Sequence, residues 1–373
     1  MYHEAMRILI VGYAAIGDLL FFLPVVQELR KRFPESKITW LANDYPTTRE
    51  LLPATGLIDE FWMHDWEGPR ARAESPAINA KIAAAGFDWA VLTQAAPAHH
   101  FFKGLRSIPN VVGHVRRFER APLLRKVKRF LVAGELHRRL LVNKRVWCAV
   151  EPEHSVKRNL RLLEAAGLEG PFDDKVRVPL PGAAVAKAER LLPGGPWIAV
   201  HVAPERNQYG KIWPAEKFGR ACAELAKTSK ARFALLASGE PGAAEAVAAA
   251  TKEFPGFVDL AGKLSLLETF AAIARCALFF GTDGGPAKAA MALGVPSASV
   301  FGPGDPREVG VYWEPEKHLE IRTGIACSPC ARLGMPLLDR LNYTTCGHRD
   351  CIGKLDVGLA VSALRARYPG LFA

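Results

Sequence analysis

The sequence predicts an α/β protein with two doubly wound parallel sheets, on three observations. The chain has 373 residues, more than one hydrophobic core organises, since cores stop growing near ~250 residues. Short β-rich apolar runs alternate with helical patterns from end to end, as in parallel sheets joined by crossover helices. That alternation stops at residues 167 to 195, where proline and glycine crowd around one short helix, and then restarts. The expected organisation is a Rossmann-like domain over 1–180, a second over 181–352, and a terminal helical segment over 353–373 able to pack back on the first domain. Ligands in such sheets bind beyond the carboxyl ends of the strands, so a central cleft faced by both domains is the expected site.

In the first half, Arg7 to Val11 reads as a buried strand, and Leu19 to Phe33 follows with helical spacing and a stop at Pro34. Lys37 to Leu41 and Trp89 to Leu92 are further strands, with a helix around Ile78 to Ala85 between them, and Asn110 to Gly113 is a fourth candidate. Glu153 to Ala166 is a long helix ended by Gly167. In the second half, Trp197 to Val202, Phe233 to Ala237, Phe257 to Leu260, Leu278 to Phe280 and Ser297 to Phe301 are short strands separated by helices.

With 49% apolar and 23% charged residues, the composition is that of a globular enzyme rather than a disordered chain. Apolar runs such as Ala277 to Phe280 fall far short of the ~18 residues of a membrane span. The opening Met1-Tyr2-His3-Glu4-Ala5 lacks the pattern of a secretory signal, so the expectation is a cytoplasmic chain with reduced thiols. The net charge of +11 is concentrated in one place. Residues 101 to 145 hold thirteen Lys or Arg against Glu119 and Glu135, a local net of +11, so the rest of the chain sums to zero. Such a surface wants an anionic partner. No stacking platform or DNA-binding motif accompanies it, which argues against nucleic acid. Arg116, Arg117 and Arg120 are interleaved with Phe118, Leu123 and Leu124, which suits an anionic membrane surface or a phosphorylated glycolipid. A solvated helix face is the plainer alternative.

Three constellations could carry chemistry. In Gly12 to Asp18, strand one breaks into a loop ending Ile16-Gly17-Asp18. Asp18 is either an N-cap or a general base able to take a proton from a substrate hydroxyl. In Gly281-Thr282-Asp283-Gly284-Gly285-Pro286, an apolar strand runs through a glycine-rich turn into a helix beginning at Pro286, with Lys288 one turn in. That arrangement is suited to anions, although its spacing is neither a Walker A loop nor the dinucleotide fingerprint. The third is Lys211-Ile212-Trp213-Pro214, where Lys211 could reach a phosphate while Trp213 packs as core and Pro214 starts a helix.

Together these segments resemble the ADP-heptose:lipopolysaccharide heptosyltransferases of glycosyltransferase family 9. Ile8 to Leu41 is similar to the start of that family, with Ile16-Gly17-Asp18, Leu23-Pro24 and Phe33-Pro34 in place. Lys211 to Pro214, Leu260 to Leu266, Asp283 to Pro286, Phe301-Gly302-Pro303 and Cys327-Ser328-Pro329-Cys330 follow in the family's order.

The resemblance implies the GT-B fold and an inverting, metal-independent enzyme. It would move a heptose from ADP-heptose to a hydroxyl of a lipopolysaccharide inner-core acceptor, with no cofactor for catalysis. Asp18 would be the base, next to Gly17. Lys211 would hold the donor diphosphate and Asp283 the donor sugar hydroxyls, with Gly284, Gly285 and Lys288 at the phosphates. Leu264 would pack on adenine, and Glu240 or Glu245 would bind ribose. Arg116, Arg117 and Arg120 would meet the acceptor, placing the enzyme peripherally on the cytoplasmic face of the inner membrane. The chain departs from the family's Asp-Thr-Gly-Pro-x-His pattern, because Gly284 replaces the threonine and Lys288 the histidine. A protein acceptor or another nucleotide sugar is the alternative. A non-catalytic sugar-nucleotide binder is disfavoured by the presence of Asp18.

Seven cysteines do not make a disulfide scaffold. Cys327, Cys330, Cys346 and Cys351 could close a tetrahedral structural site for zinc or iron, or remain reduced or form a reversible disulfide. Some members of the resembled family, protein-directed heptosyltransferases among them, carry a similar four-cysteine finger. Cys148, Cys222 and Cys276 fall on apolar patterns and read as core.

Overall fold

The computed structural model describes residues 5–12, 15–66, 71–94, 96–115, 135–148, 151–203, 210–237, 239, 242–330 and 346–372. The chain divides into two units, Met1–Arg177 and Val178–Ala373.

The first unit is built on six parallel strands: β1 (Arg7–Val11), β2 (Lys37–Ala42), β3 (Glu60–Met63), β4 (Trp89–Leu92), β5 (Asn110–Val115) and β6 (Lys144–Trp147). They lie in the order β3-β2-β1-β4-β5-β6. The chain lays β2 and β3 on one side of β1 and then crosses to lay β4 to β6 on the other, so the topological switch point falls between β1 and β4. Ile8, Leu9, Ile10 and Val11 are all fully buried, as expected of a strand covered on both faces.

Helix α1 (Ile16–Arg32) covers one face through Leu19, Leu20, Phe22, Leu23, Val25, Val26 and Leu29, each worth roughly 1.5–3 kcal/mol when fully buried. Its last turn carries Arg30, Lys31 and Arg32, which complement the negative end of the helix dipole. Helix α2 spans Ala71–Ala84, helix α3 Glu135–Leu141 and helix α4 Ser155–Ala165. The start of α4 is capped by the His154 ring, which accepts from the Val156 N–H at 3.3 Å. The buried Asn159 amide ties α4 to α1 by donating to the Phe21 carbonyl at 3.0 Å.

The second unit repeats the topology. β7 (Trp197–His201), β8 (Arg232–Leu236), β9 (Phe257–Asp259), β10 (Leu278–Thr282), β11 (Ser297–Val300) and β12 (His318–Ile321) form a parallel sheet in the order β12-β11-β10-β7-β8-β9, with its switch point between β7 and β10. Side chains alternate across this sheet. Leu278 and Phe280 enter a core with Trp213, Phe218 and Val200, while Phe279 enters the opposite core with Trp197, Leu236 and Ile273. Helix α5 (Gly182–Leu191) leads into β7, and α6 (Ala215–Ala226), α7 (Ala243–Glu253), α8 (Leu266–Ala274) and α9 (Gly285–Ala292) lie in the crossovers between successive strands from β7 to β11. Trp213 is fully buried and Pro214 caps α6, as the sequence suggested. Helix α10 (Val357–Arg367) buries Ala360, Val361 and Leu364 in the second unit's core. The terminal segment thus contributes to the second unit's core.

Strands β3, β6 and β12 were not foreseen. Each lies at a sheet edge, and their burial is mixed, so they lack the continuous apolar run of a central strand. Among the described residues no helix is long and apolar enough to cross a membrane.

Candidate active site

The first unit presents its candidate base just past the β1–β4 switch point. Gly12 follows β1, where its N–H donates to the Leu41 carbonyl at 3.2 Å, and Thr93 follows β4, where its N–H donates to the Val11 carbonyl at 3.0 Å. The two residues touch: a Cβ at position 12 would lie 2.1 Å from Thr93 Oγ1. Only glycine lets the strands end this closely. Helix α1 then starts with Ala15 as its N-cap and no side-chain cap bond, and Asp18 lies in its first turn. The capping alternative for Asp18 is thereby corrected. Its carboxylate is solvent-exposed, near the positive end of the helix dipole, and Gly17 precedes it in the same turn.

Beside this point, Arg138 on α3 is a residue the sequence did not single out. Its guanidinium is buried and donates through Nη2 to the carbonyls of Thr93 at 3.0 Å and Ala96 at 2.7 Å, and through Nη1 to that of His114 at 3.3 Å. It holds the segment after β4 in place at the carboxyl end of the sheet. One arginine among thirteen basic residues carries no local signal of such a role. Arg116, Arg117 and Arg120 lie outside the described residues.

The second unit gathers its charges at the end of β10. Asp283 is only 3% exposed in its side chain. Lys288, on α9, brings Nζ to 2.7 Å from Asp283 Oδ1, and Lys211 brings Nζ to 3.5 Å from Oδ2. Burial pushes the Asp283 carboxyl up, but the Lys288 and Lys211 ammoniums more than offset it and hold the group below its ordinary value. Gly284 is the N-cap of α9, and Gly285 opens the helix with Pro286 behind it, so their backbone N–H groups stand at its positive end. Asp283, Lys288 and Lys211, which the sequence analysis assigned to one donor site, lie within ion-pair distance here. It did not anticipate that Lys288, expected at the phosphates, is buried in an ion pair with the neighbouring carboxylate.

His201, which the sequence also passed over, ends β7 across the switch point from Gly281, where an added Cβ would meet its own Cβ at 3.0 Å. Burial pushes its imidazole down to about 4, leaving it neutral. Leu264 is half-buried against the core that holds Phe279, just before the capping box of α8 formed by Ser265 and Glu268. Glu245 is exposed in the first turn of α7. Glu240 lies outside the described residues.

The four late cysteines approach one another. Burial raises the Cys351 thiol to about 11, and Cys330, Cys327 and Cys346 push it the same way. Their segment is tied to the turn after β11, because the Cys330 N–H donates to the Pro303 carbonyl at 3.1 Å and Ser328 Oγ to that of Gly302 at 2.8 Å. Yet among the described residues no three His, Cys, Asp or Glu side chains are gathered closely enough to hold a metal. The donor set is chemically apt for zinc or iron, but its arrangement does not support the expected structural metal. Cys148, Cys222 and Cys276 are buried.

The family model for glycosyltransferase family 9 (heptosyltransferase) matches residues 120–337. Among solved structures, a family 9 glycosyl transferase from Veillonella parvula aligns over 99% of both chains at 18% identity, with a TM-score of 0.69. The E. coli ADP-heptose lps heptosyltransferase II aligns over 98% of this chain and 99% of its own at 16% identity, with a TM-score of 0.67. The iron-containing dodecameric glycosyltransferase TibC of enterotoxigenic E. coli aligns over 99% of this chain and 77% of its own at 12% identity, with a TM-score of 0.56. No match was found among curated proteins. The two six-stranded sheets and these likenesses identify the GT-B fold. With more than half of its length matched by the family model, the chain belongs to glycosyltransferase family 9, the heptosyltransferases.

Proposed function

We propose that the protein is an inverting, metal-independent glycosyltransferase that moves a heptose from ADP-heptose to a hydroxyl of a lipopolysaccharide inner-core acceptor. The observation that carries the donor side is the buried Asp283 carboxylate held between Lys288 and Lys211 at the opening of α9. An ionised carboxylate accepts hydrogen bonds from sugar hydroxyls. Lys211, 29% exposed in its side chain, is available to a diphosphate together with the backbone N–H groups of Gly284 and Gly285. Leu264 would pack on adenine, and Glu240 or Glu245 would bind ribose. Structures of similar fold include an ADP-heptose enzyme and a heptosyltransferase solved with ADP, which supports this donor.

In the proposed reaction, the acceptor oxygen attacks the anomeric carbon from the face opposite the diphosphate. Asp18 takes the hydroxyl proton as the new C–O bond forms. The bond to the diphosphate breaks in the same step, and Lys211 and the N–H groups of α9 stabilise the charge growing on ADP. No cofactor enters this reaction. Arg116, Arg117 and Arg120 are assigned to the acceptor's phosphates, with the enzyme peripheral on the cytoplasmic face of the membrane. A protein acceptor is the second reading, favoured by the likeness to TibC and by the four late cysteines.

Mass spectrometry of products from ADP-, UDP- and GDP-sugars, offered with lipopolysaccharide core or with protein, tests both readings. Transfer only from a UDP- or GDP-sugar would reject the donor assignment. Asp18→Asn should bind ADP as wild type does while turning over ~100-fold or more slowly. Near-normal turnover would remove Asp18 from the mechanism.

A further inference from the structure

Lys288 lies one turn into α9, and its side chain reaches back toward the helix start, the direction in which helical side chains lean. There Nζ meets Asp283 Oδ1 at 2.7 Å, with both side chains almost fully buried. The same ammonium sits 5.0 Å from the centroid of the Phe301 ring, and that ring is itself buried. Lys211 differs in both respects: its Nζ stands farther from the carboxylate, at 3.5 Å from Oδ2, and its side chain is part-exposed. Gly304 faces the same oxygen, and a Cβ there would lie 3.3 Å from Oδ2. One edge of the carboxylate is therefore locked inward while the other is shared with an accessible lysine and a residue without a side chain.

Resting on the ADP-sugar reading above, we infer that Lys288 is a positioning residue for Asp283 rather than a ligand of the diphosphate. Its buried ammonium keeps the carboxylate ionised and fixes Oδ1, so that Oδ2 is the atom offered to the donor sugar and Lys211 is the cation offered to phosphate. A carboxylate buried without a close cation tends to take up a proton. In that state it carries a donor of its own and loses acceptor capacity for two sugar hydroxyls. Lys288 thus acts on recognition of the sugar, through Asp283, and only weakly on recognition of the nucleotide.

Two measurements test this. The first needs no ligand. Carbon-13 NMR of the Asp carboxyls, with the Asp283 signal assigned by its loss in Asp283→Asn, should show the group titrating about one to three pH units higher in Lys288→Met and Lys288→Gln than in wild type. Identical midpoints in wild type and a folded variant would overturn the inference. The second is calorimetry with ADP and with ADP-heptose. Lys211→Met should weaken ADP tenfold or more. Lys288→Gln should keep ADP affinity within threefold while losing at least tenfold of the extra affinity that the sugar confers. Loss of ADP affinity in Lys288→Gln equal to that in Lys211→Met would make Lys288 a phosphate ligand. A wild-type protein that binds neither compound would defeat the donor reading alone, since the carboxyl titration would still decide the role of Lys288.

Discussion

Gly12→Ala should damage the first unit and its chemistry while sparing the second. The new Cβ would lie 2.1 Å from Thr93 Oγ1, 2.4 Å from its Cγ2 and 2.8 Å from its Cβ, so something must move by about 1 Å to restore ordinary contact. Thr93 cannot easily turn away. It is buried and β-branched, and its backbone is held by the Val11 carbonyl and by Arg138. Overpacking of this kind costs ~1–3 kcal/mol. At ~2–4 °C per kcal/mol for a unit of this size, the first unit's transition should fall by about 2 to 12 °C. Scanning calorimetry reads this, with Gly182→Ala as control, because that position opens α5 with nothing within 4 Å of an added Cβ. Adding Thr93→Ala removes Oγ1 and Cγ2 and should recover part of the loss. Because the loop to Asp18 starts at Gly12, turnover should fall while ADP affinity stays at the wild-type value. An unchanged transition in Gly12→Ala, or no recovery with Thr93→Ala, would refute the steric argument.

Arg138→Met should cost ~2–4 kcal/mol, because the buried carbonyls of Thr93, Ala96 and His114 lose their donor; a urea midpoint equal to wild type would show that water replaces the guanidinium there. His114 gives a pH prediction. Burial, with Arg138 and Arg158 adding to it, pushes its imidazole down to about 3, so it is neutral when folded and takes a proton near pH ~6.5 when unfolded. Its contribution is therefore intact above pH ~6.5 and is lost as pH falls toward 3, at up to ~1.4 kcal/mol per pH unit. Urea titrations between pH 7 and 5 should show a shallower decline in His114→Gln than in wild type, and parallel profiles would rule the histidine out as the cause.

The central strands were legible because a parallel strand covered on both faces must be apolar at nearly every position, as Ile8 to Val11 and Leu278 to Phe280 are. The edge strands β3, β6 and β12 were not, since an edge half open to solvent carries a mixed pattern that a loop can share. Cys148, Cys222 and Cys276 were read correctly as core for the same reason as the strands: each occupies an apolar position in a local pattern. Arg138 has no such pattern, because the carbonyls it donates to belong to β5 and to the segment after β4, more than twenty residues away in sequence.

The order of elements, the break between two α/β units, the family motifs and the concentration of charge at residues 101 to 145 were determined by the sequence alone, because each is written in residues adjacent along the chain. What only the tertiary structure decided is which charges meet. Lys211 is 72 residues from Asp283 and shares its carboxylate, while Lys288, five residues away, is buried against the other oxygen. The sequence offered the two lysines as equivalent cations for one diphosphate. Burial and distance separate them, because the Lys288 ammonium is enclosed against a buried carboxylate, whereas that of Lys211 stands farther from it and partly in water.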